Sequence, residues 1–244
     1  MCAPCPSYAR NKMLRMERRP KIVARETRSS DAMPADAGHY VPNVAHRVWK
    51  GNEEQEAAHI NLKGMSVGNG LTDPEMQYPY YPEMAISTNE HEPAVSDDVY
   101  QQMKKAVPLC VLAIKACNAG NGTISQAACV AAVELCNLKL IQPYSMTGMN
   151  PYDMRIKCAK PPLCYDFSGV GKFLARAEVR AALNIRADAG EWQSCNFDVN
   201  RAFMGDWMKN YQTQIPDLLA NGIRVLIYAG DQDYICVSQE DPRL

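Results

Sequence analysis

The chain has 244 residues, enough to bury an apolar core either as one large domain or as a core with an insertion. Its 26 basic and 27 acidic residues nearly cancel, so the overall charge gives no indication of a nucleic-acid partner or a membrane surface. No apolar run approaches the roughly 18 residues that a membrane-spanning helix needs, and we expect no membrane partner.

The N-terminal segment, residues 1–34, is a basic tail to which the sequence assigns no fold. Its first 30 residues contain eight Lys or Arg against two Glu. They show no apolar centre of a signal peptide. We therefore keep this segment apart from the predicted domain.

The first regular elements follow from residue 37. Apolar residues recur at helical spacing over residues 40–51, and Gly51 marks the end of that helix. Residues 59–67 then predict a strand, which ends at the turn residues 68–70. A helix followed by a strand is half of an α/β repeat.

The middle of the chain differs in character. Residues 99–136 predict helix, residues 137–163 are loop-rich, and residues 170–183 predict helix again. The core pattern stops near residue 73 and resumes near residue 206, so we interpret the interval as an insertion. The predicted units are the tail 1–34, the first core part 35–72, the helical insertion or cap 73–205, and the second core part 206–244.

Ten cysteines are many for a cytosolic protein of this size, and six of them lie between Cys110 and Cys164. This number favours an oxidising compartment. A metal site is the alternative, but no pair in this region has zinc-knuckle spacing and no histidine is nearby, so we predict disulfides, no metal and no cofactor. Asn121 begins a glycosylation sequon in the same region.

The second core part closes with a helix over residues 215–220 and a β-branched strand that ends at Ala229. Gly230 and two acids, Asp231 and Asp233, follow at once. A buried parallel strand delivers a carboxylate to the carboxyl edge of an α/β sheet in this way. The strand therefore points to an acid with a chemical role.

Several separate stretches together resemble serine carboxypeptidases of the carboxypeptidase Y type, over about four-fifths of the chain. They are residues 37–42 (AGHYVP), 60–64 (INLKG), 68–74 (GNGLTDP), 194–196 (SCN), 206–208 (DWM) and 224–236 (RVLIYAGDQDYIC). The resemblance implies an α/β-hydrolase core, incomplete at both ends, with a helical, disulfide-stapled insertion. The implied activity is serine-type proteolysis, the hydrolysis of C-terminal residues from peptides, with the peptide C-terminus as partner.

In that family the motif Gly-Glu-Ser-Tyr carries the nucleophile just before the match to residues 37–42. The matching position here is Ala35, which has no hydroxyl and cannot form an acyl-enzyme. The family match makes Asp233 the triad acid, but the last histidine of this sequence is His91. We therefore expect the chain to be catalytically inactive, and the abrupt loss of resemblance on both sides is typical of a gene-model or splicing boundary.

The resemblance also implies a substrate pocket, disulfide pairs and a compartment. The residues that match the apolar pocket for the penultimate side chain of a peptide are Leu71, Tyr78, Tyr81, Ile141, Trp207, Ile235 and Cys236. The implied disulfides are Cys110–Cys136, Cys117–Cys129 and Cys158–Cys164. Cys195 matches a half-cystine whose partner we expect to be missing, which would leave it an unpaired thiol. The family is vacuolar, lysosomal or secreted.

Two further residues resemble catalytic groups by their sequence context: Ser66 as a nucleophile and His39 as a base. Ser66 lies in a Gly-x-Ser-x-Gly pattern, but turn residues rather than a helix follow it, so an interior strand is the better interpretation. His39 matches a structural histidine of the family. Two alternatives to a serine peptidase stay open: a non-catalytic peptide-binding or regulatory protein, and an acyltransferase of the same family. The oligomeric state is unknown.

Overall fold

The computed structural model describes residues 22–25, 34–86, 92–120 and 122–236. Three strands form a parallel sheet in the order β1 (Ile22–Arg25), β2 (Leu62–Gly68) and β5 (Arg224–Tyr228). Helix α1 (Pro34–Glu53) connects β1 to β2, because neighbouring parallel strands need a crossover. Strand β1 lies within the segment 1–34, to which the sequence assigned no fold.

One face of the sheet is covered by α1 and by α10 (Ile215–Ala220). A cluster of apolar side chains lies between the sheet and these two helices. Its most buried members expose at most 1% of their surface and are Ala45 of α1, Met65 of β2 and Leu218 of α10. Gly38 lets α1 approach the turn after β2, because a β-carbon there would lie 2.3 Å from the carbonyl oxygen of Leu71. The predicted helix–strand unit is thus present, with the helix longer at both ends than the 40–51 pattern.

The insertion is mainly helical, as predicted. Its helices are α2 (Pro74–Gln77), α3 (Tyr81–Ala85), α4 (Asp97–Asn118), α5 (Gly122–Cys136), α6 (Gln142–Ser145), α7 (Ser168–Leu174), α8 (Ala177–Ala182) and α9 (Phe197–Ala202). Two disulfides, Cys110–Cys136 and Cys117–Cys129, join α4 to α5. A third, Cys158–Cys164, closes a short loop. All three predicted pairings are confirmed.

The region 137–163 contains more regular structure than its loop-rich sequence predicts. A π-helical turn, Asn137–Ile141, continues α5 into α6, and β3 (Met149–Asn150) pairs antiparallel with β4 (Asp153–Lys157). The signal was weak because the hairpin strands are only two and five residues long, and because the hairpin contacts residues 232 and 235, which are distant in sequence.

The resulting continuous helix, Gly122–Ser145, is long and apolar enough by length and composition to span a membrane. This is contrary to the expectation that no segment would be. Its mean hydropathy over 18 residues is 1.4, reached by interspersed Ala, Val, Leu and Cys rather than by an unbroken apolar run. Cys129 and Cys136, two helical turns apart, bond it to α4, and 33% of the apolar window is buried against the rest of the described chain.

Candidate active site

Asp233 lies in the turn that follows β5, at the carboxyl edge of the parallel sheet. Its side chain is buried, and the residue exposes 3% of its surface. Oδ2 accepts a hydrogen bond from Nδ2 of Asn69 at 2.7 Å, and Oδ1 accepts one from the backbone N–H of Cys236 at 3.0 Å. Since each carboxylate oxygen has its own donor, the plane of the carboxylate is fixed. Asp231, the other acid of the motif, is exposed.

Asn69 was not recognised from the sequence as a site residue. It lies in the turn after β2 with φ of +52°, a left-handed conformation that Asn tolerates better than most residues. Its backbone N–H donates to the carbonyl of Tyr228 at 2.9 Å, which ties the turns after β2 and β5 together. The Gly-Asn-Gly sequence indicated a turn, but not the acid that the amide contacts.

The loop that carries Asp233 is held by the insertion as well as by the sheet. The N–H of Met154 donates to the carbonyl of Gln232, and the N–H of Ile235 donates to the carbonyl of Pro151, both at 3.0 Å. The ring of Tyr234 stacks on Tyr144 with centroids 3.8 Å apart. The β3–β4 hairpin and the acid loop therefore form one packed unit.

Five of the seven predicted pocket residues belong to or pack against one large buried cluster, and the other two, Ile235 and Cys236, lie in the acid loop itself. Leu71, Tyr78 and Tyr81 belong to one buried cluster, and Ile141 and Trp207 pack against it. The hydroxyl of Tyr81 donates to the carbonyl of Ile235 at 2.9 Å. Cys236, the last of the seven, is a buried thiol.

The members of this group differ in what they offer a ligand. Tyr78 and Tyr81 expose only 1% and 3% of their surface, and burial raises the pKa of Tyr81 well above its usual range. These two tyrosines are core residues of this conformation. Ile141, Trp207 and Ile235 are partly exposed, so their side chains are the accessible part of the group. Contact with a peptide stays a prediction.

Two of the described histidines pair with acids other than Asp233. Nδ1 of His39 lies 3.0 Å from Oδ2 of Asp206, and the hydroxyl of Tyr211 donates to Oδ1 of the same carboxylate at 2.7 Å. His46 pairs with Asp217 at 3.0 Å. Burial alone would raise the pKa of Asp206, but the hydrogen bonds from His39 and Tyr211 hold it below its usual value. His39 therefore has the environment of a structural histidine.

The remaining histidines and the two nucleophile positions complete the comparison with the sequence. His59 is exposed, and His91 lies outside the described residues. The backbone of Ala35 lies in the first turn of α1. Ser66 lies inside β2, paired on one side with Arg25 and on the other with Leu226. It thus occupies an interior strand, as predicted, and not a strand-to-helix elbow.

The other cysteine and modification predictions have mixed outcomes. Cys195 is disulfide-bonded, so the prediction that it is an unpaired thiol is wrong. That prediction relied on the family partner being missing, although the chain contains further cysteines, Cys2 and Cys5, outside the matched stretches. The sequon residue Asn121 lies outside the described residues. Within the described part of the chain, no group of three or more His, Cys, Asp or Glu could hold a metal ion.

A parallel sheet crossed by α1, with a buried acid in the turn after its last strand, is an arrangement of the α/β class; the matches below make it the α/β-hydrolase fold. The sequence profile of the serine carboxypeptidase family matches residues 36–243, and the chain belongs to that family. It is 44% identical over 201 residues to Serine carboxypeptidase-like 49 of Arabidopsis thaliana and to Serine carboxypeptidase 3 of Hordeum vulgare. It is 43% identical over 203 residues to Carboxypeptidase Y homolog A of Ajellomyces capsulatus.

These alignments cover 82% of this chain but only 35% to 37% of each relative. The chain therefore spans little more than a third of the length of these relatives. A solved structure, Kex1(delta)p, a prohormone-processing carboxypeptidase from Saccharomyces cerevisiae, superposes with a TM-score of 0.66 at 22% identity. That match covers 89% of this chain and 46% of the other, and it shows the shared fold.

Proposed function

We propose that this chain is a serine carboxypeptidase homologue that retains the acid and the apolar ligand-facing group but does not hydrolyse peptides. The observation that carries the proposal is the pairing of His39 with Asp206 and of His46 with Asp217. Because these two histidines are bonded to other acids, neither is available as a base that Asp233 could orient. The family position of the nucleophile is Ala35, which has no hydroxyl to activate.

The triad mechanism explains why the acid is not sufficient. In an intact serine hydrolase, the serine attacks the carbonyl, the histidine moves the proton, and the acid holds the imidazole tautomer and stabilises its charged form. Loss of the nucleophile or the base alone removes most of the contribution of the triad. Asp233 can perform only the third role.

The partly exposed members of the predicted pocket support peptide binding without hydrolysis. Ile141, Trp207 and Ile235 offer partly exposed apolar surface beside the buried cluster. An apolar side chain that covers this surface gains roughly 25 cal/mol per Å² of buried area. The ligand class is thus a peptide with an apolar residue next to its C-terminus.

A fluorophosphonate probe tests the loss of catalysis. We expect no labelling of the purified chain, while the Hordeum vulgare Serine carboxypeptidase 3 serves as a positive control. The Ala35→Ser variant should also stay unlabelled, because the hydroxyl alone has no base to activate it. Labelling of the unmodified chain, at Ser66 or at any other serine, would contradict the proposal.

Trp207 fluorescence tests the binding function. Titration with an N-blocked Phe-Leu dipeptide should change the emission, and a Gly-Gly dipeptide of the same blocking group should not. The variants Trp49→Phe and Trp192→Phe isolate the signal of Trp207. An identical response to both dipeptides would refute an apolar specificity.

The division of the chain and its compartment follow from the same family assignment. The units 35–72, 73–205 and 206–244 are supported by the positions of α1 and β2, the insertion helices, and β5. Three disulfides join residues of the insertion, which supports an oxidising compartment such as the vacuole or the secretory route.

A further inference from the structure

Four buried tyrosines of the insertion and the acid loop form one aromatic cluster. They are Tyr78, Tyr81, Tyr234 and Tyr144, and none exposes more than 3% of its surface. In that order, the centroids of neighbouring rings lie 5.0, 5.2 and 3.8 Å apart. A buried tyrosine needs a hydrogen-bond partner for its hydroxyl, so the partners show which parts of the chain this cluster joins.

Two of the hydroxyls bond to the π-helical turn that follows α5. Tyr234, in the acid loop, donates to the carbonyl of Leu140 at 2.6 Å, and Tyr78 donates to Oδ1 of Asn137 at 2.8 Å. A π-helical turn is a rare departure from the α-helix and is frequent at functional sites. The last residue of this turn is Ile141, a partly exposed member of the predicted pocket.

A third hydroxyl bonds to the acid loop itself. Tyr81 donates to the carbonyl of Ile235 at 2.9 Å, and Ile235 directly follows Tyr234 in the chain. Ile235 is also a partly exposed member of the predicted pocket. The hydroxyl of Tyr234 therefore connects the residue before Ile141 to the residue before Ile235, and the bond from Tyr81 anchors the second of these isoleucines.

We propose that Tyr234 is a positioning residue that determines the specificity of peptide binding. Its hydroxyl fixes the distance between the acid loop and the π-helical turn, and with it the separation of Ile235 and Ile141. That separation limits the size of the apolar side chain that the pocket accepts. The inference rests on the peptide binding proposed above, but Tyr234 is fully buried and acts without touching the ligand.

The ring and the hydroxyl of Tyr234 have separable roles. The ring stacks on Tyr144 with 11° between the ring planes, and a phenylalanine retains this stack. Only the hydroxyl reaches Leu140, so its removal takes a donor from a buried carbonyl while the packing of the ring is kept. Burial raises the pKa of Tyr234 well above its usual range, so the hydroxyl remains a donor at neutral pH.

A series of N-blocked dipeptides tests the proposal. The series is Xaa-Leu with Ala, Val, Leu or Phe as Xaa, and Trp207 fluorescence in the Trp49→Phe, Trp192→Phe background measures each affinity. The parent should distinguish these ligands by size. Tyr234→Phe should reduce the ratio between the strongest and the weakest affinity by about fivefold, the scale of one net hydrogen bond, because a pocket whose walls can shift selects less by size.

Ser125→Ala is the matched control. It removes the hydroxyl of another buried residue, which donates to the carbonyl of Cys117 at 2.7 Å and joins α5 to α4. Urea unfolding should show a loss of stability in this variant and in Tyr234→Phe alike, but only Tyr234→Phe should change the affinity ratio. An equal fall of the ratio in both variants would reduce the role of Tyr234 to general stability and overturn the proposal.

A double-mutant cycle shows whether Tyr234 acts through the π-helical turn. Ile141→Ala removes the side chain whose position the hydroxyl is proposed to fix. In that background, Tyr234→Phe should have little further effect on the affinity ratio, since residues that act together are not additive. Fully additive effects would mean that Tyr234 does not act through Ile141, and the proposal would be wrong.

Hydrogen exchange of the unliganded chain separates this inference from the proposed function. The backbone N–H of Ile235 donates to the carbonyl of Pro151, and it should exchange about tenfold faster in Tyr234→Phe than in Ser125→Ala, because the acid loop opens more readily. Unchanged exchange in a chain whose parent binds the dipeptides would refute the role of Tyr234 alone. A parent that binds none of the dipeptides would refute the proposed function, and this inference with it.

Discussion

Asn69 and Asp233 are 164 positions apart in the chain, yet their side chains are in contact at 2.7 Å. The amide of Asn69 donates a hydrogen bond that helps to fix the carboxylate, and its backbone N–H donates to the carbonyl of Tyr228 at the end of β5. A single residue in a left-handed turn thus joins two strands and orients the acid between them.

Substitution of Asn69 should separate the hydrogen bond from the backbone conformation. Asn69→Gly removes the bond to a buried carboxylate and should cost about 1–3 kcal/mol of unfolding free energy. Asn69→Ala should cost roughly 1 kcal/mol more, because alanine is strained at positive φ. Urea unfolding measures both. Asn184, exposed and also at φ of +53°, gives the matched control Asn184→Gly, which should change little.

The Asp206 carboxylate should make the stability depend on pH. Its pKa is below the usual value in the folded chain, so the unfolded chain binds a proton at higher pH than the folded one. Stability from this group is complete above about pH 4 and is lost as the pH falls through the folded pKa. Asp206→Asn should flatten the urea midpoint against pH in this acid range.

At the scale of elements, two disulfides hold α4 and α5 together. The helices meet through Cys110–Cys136 and Cys117–Cys129, and all four cysteines are buried. α4 also packs against the tyrosines of the buried cluster. The pair therefore forms the framework of the insertion.

Removal of Cys117–Cys129 by double alanine substitution should cost about 3 kcal/mol, the usual scale for a loop of this size. Removal of Cys158–Cys164 should cost less, because it closes a shorter loop, with a sequence separation of 6 against 12. Non-reducing urea titrations followed by circular dichroism compare the two variants. An equal or larger loss for the 158–164 pair would show that loop length does not set the order.

The sequence predicted the elements whose signals are local. The helix 215–220 has the bounds of α10, and the strand pattern 59–67 overlaps β2 because its apolar residues end at the Gly-Asn-Gly turn. Strand β1 was missed, since four residues in a basic segment carry little pattern and depend on pairing with β2. The contacts Asn69–Asp233 and His39–Asp206 could not be predicted, because they form only when strands and helices distant in sequence pack together.

At the scale of the molecule, two apolar clusters coexist. One lies between the sheet, α1 and α10, and the other fills the insertion and reaches the acid loop. Trp49 packs against the first cluster and Trp207 against the second. Each tryptophan therefore reports on one cluster.

We expect the two clusters to unfold together, because the loop after β5 bonds both to the sheet and to the hairpin. Variants that keep only Trp49 or only Trp207 should show the same urea midpoint by fluorescence as the parent shows by circular dichroism. A variant that keeps only Trp192, in a segment whose helices α7 and α8 bury no residue, controls for local opening. Distinct midpoints for Trp49 and Trp207 would mean two independent folding units.

The β3–β4 hairpin is hydrogen-bonded to residues 232 and 235 of the acid loop, so a change in the hairpin can alter the position of that loop. If the insertion made no contact with the acid loop, it could be shortened or replaced without changing the orientation of Asp233. Here the main chain of the insertion contributes two of the anchors that shape the acid loop, so a deletion in the hairpin would be transmitted to the orientation of Asp233. The helices α7, α8 and α9 bury no residue, so we expect changes there to affect Asp233 less than a deletion in the hairpin does.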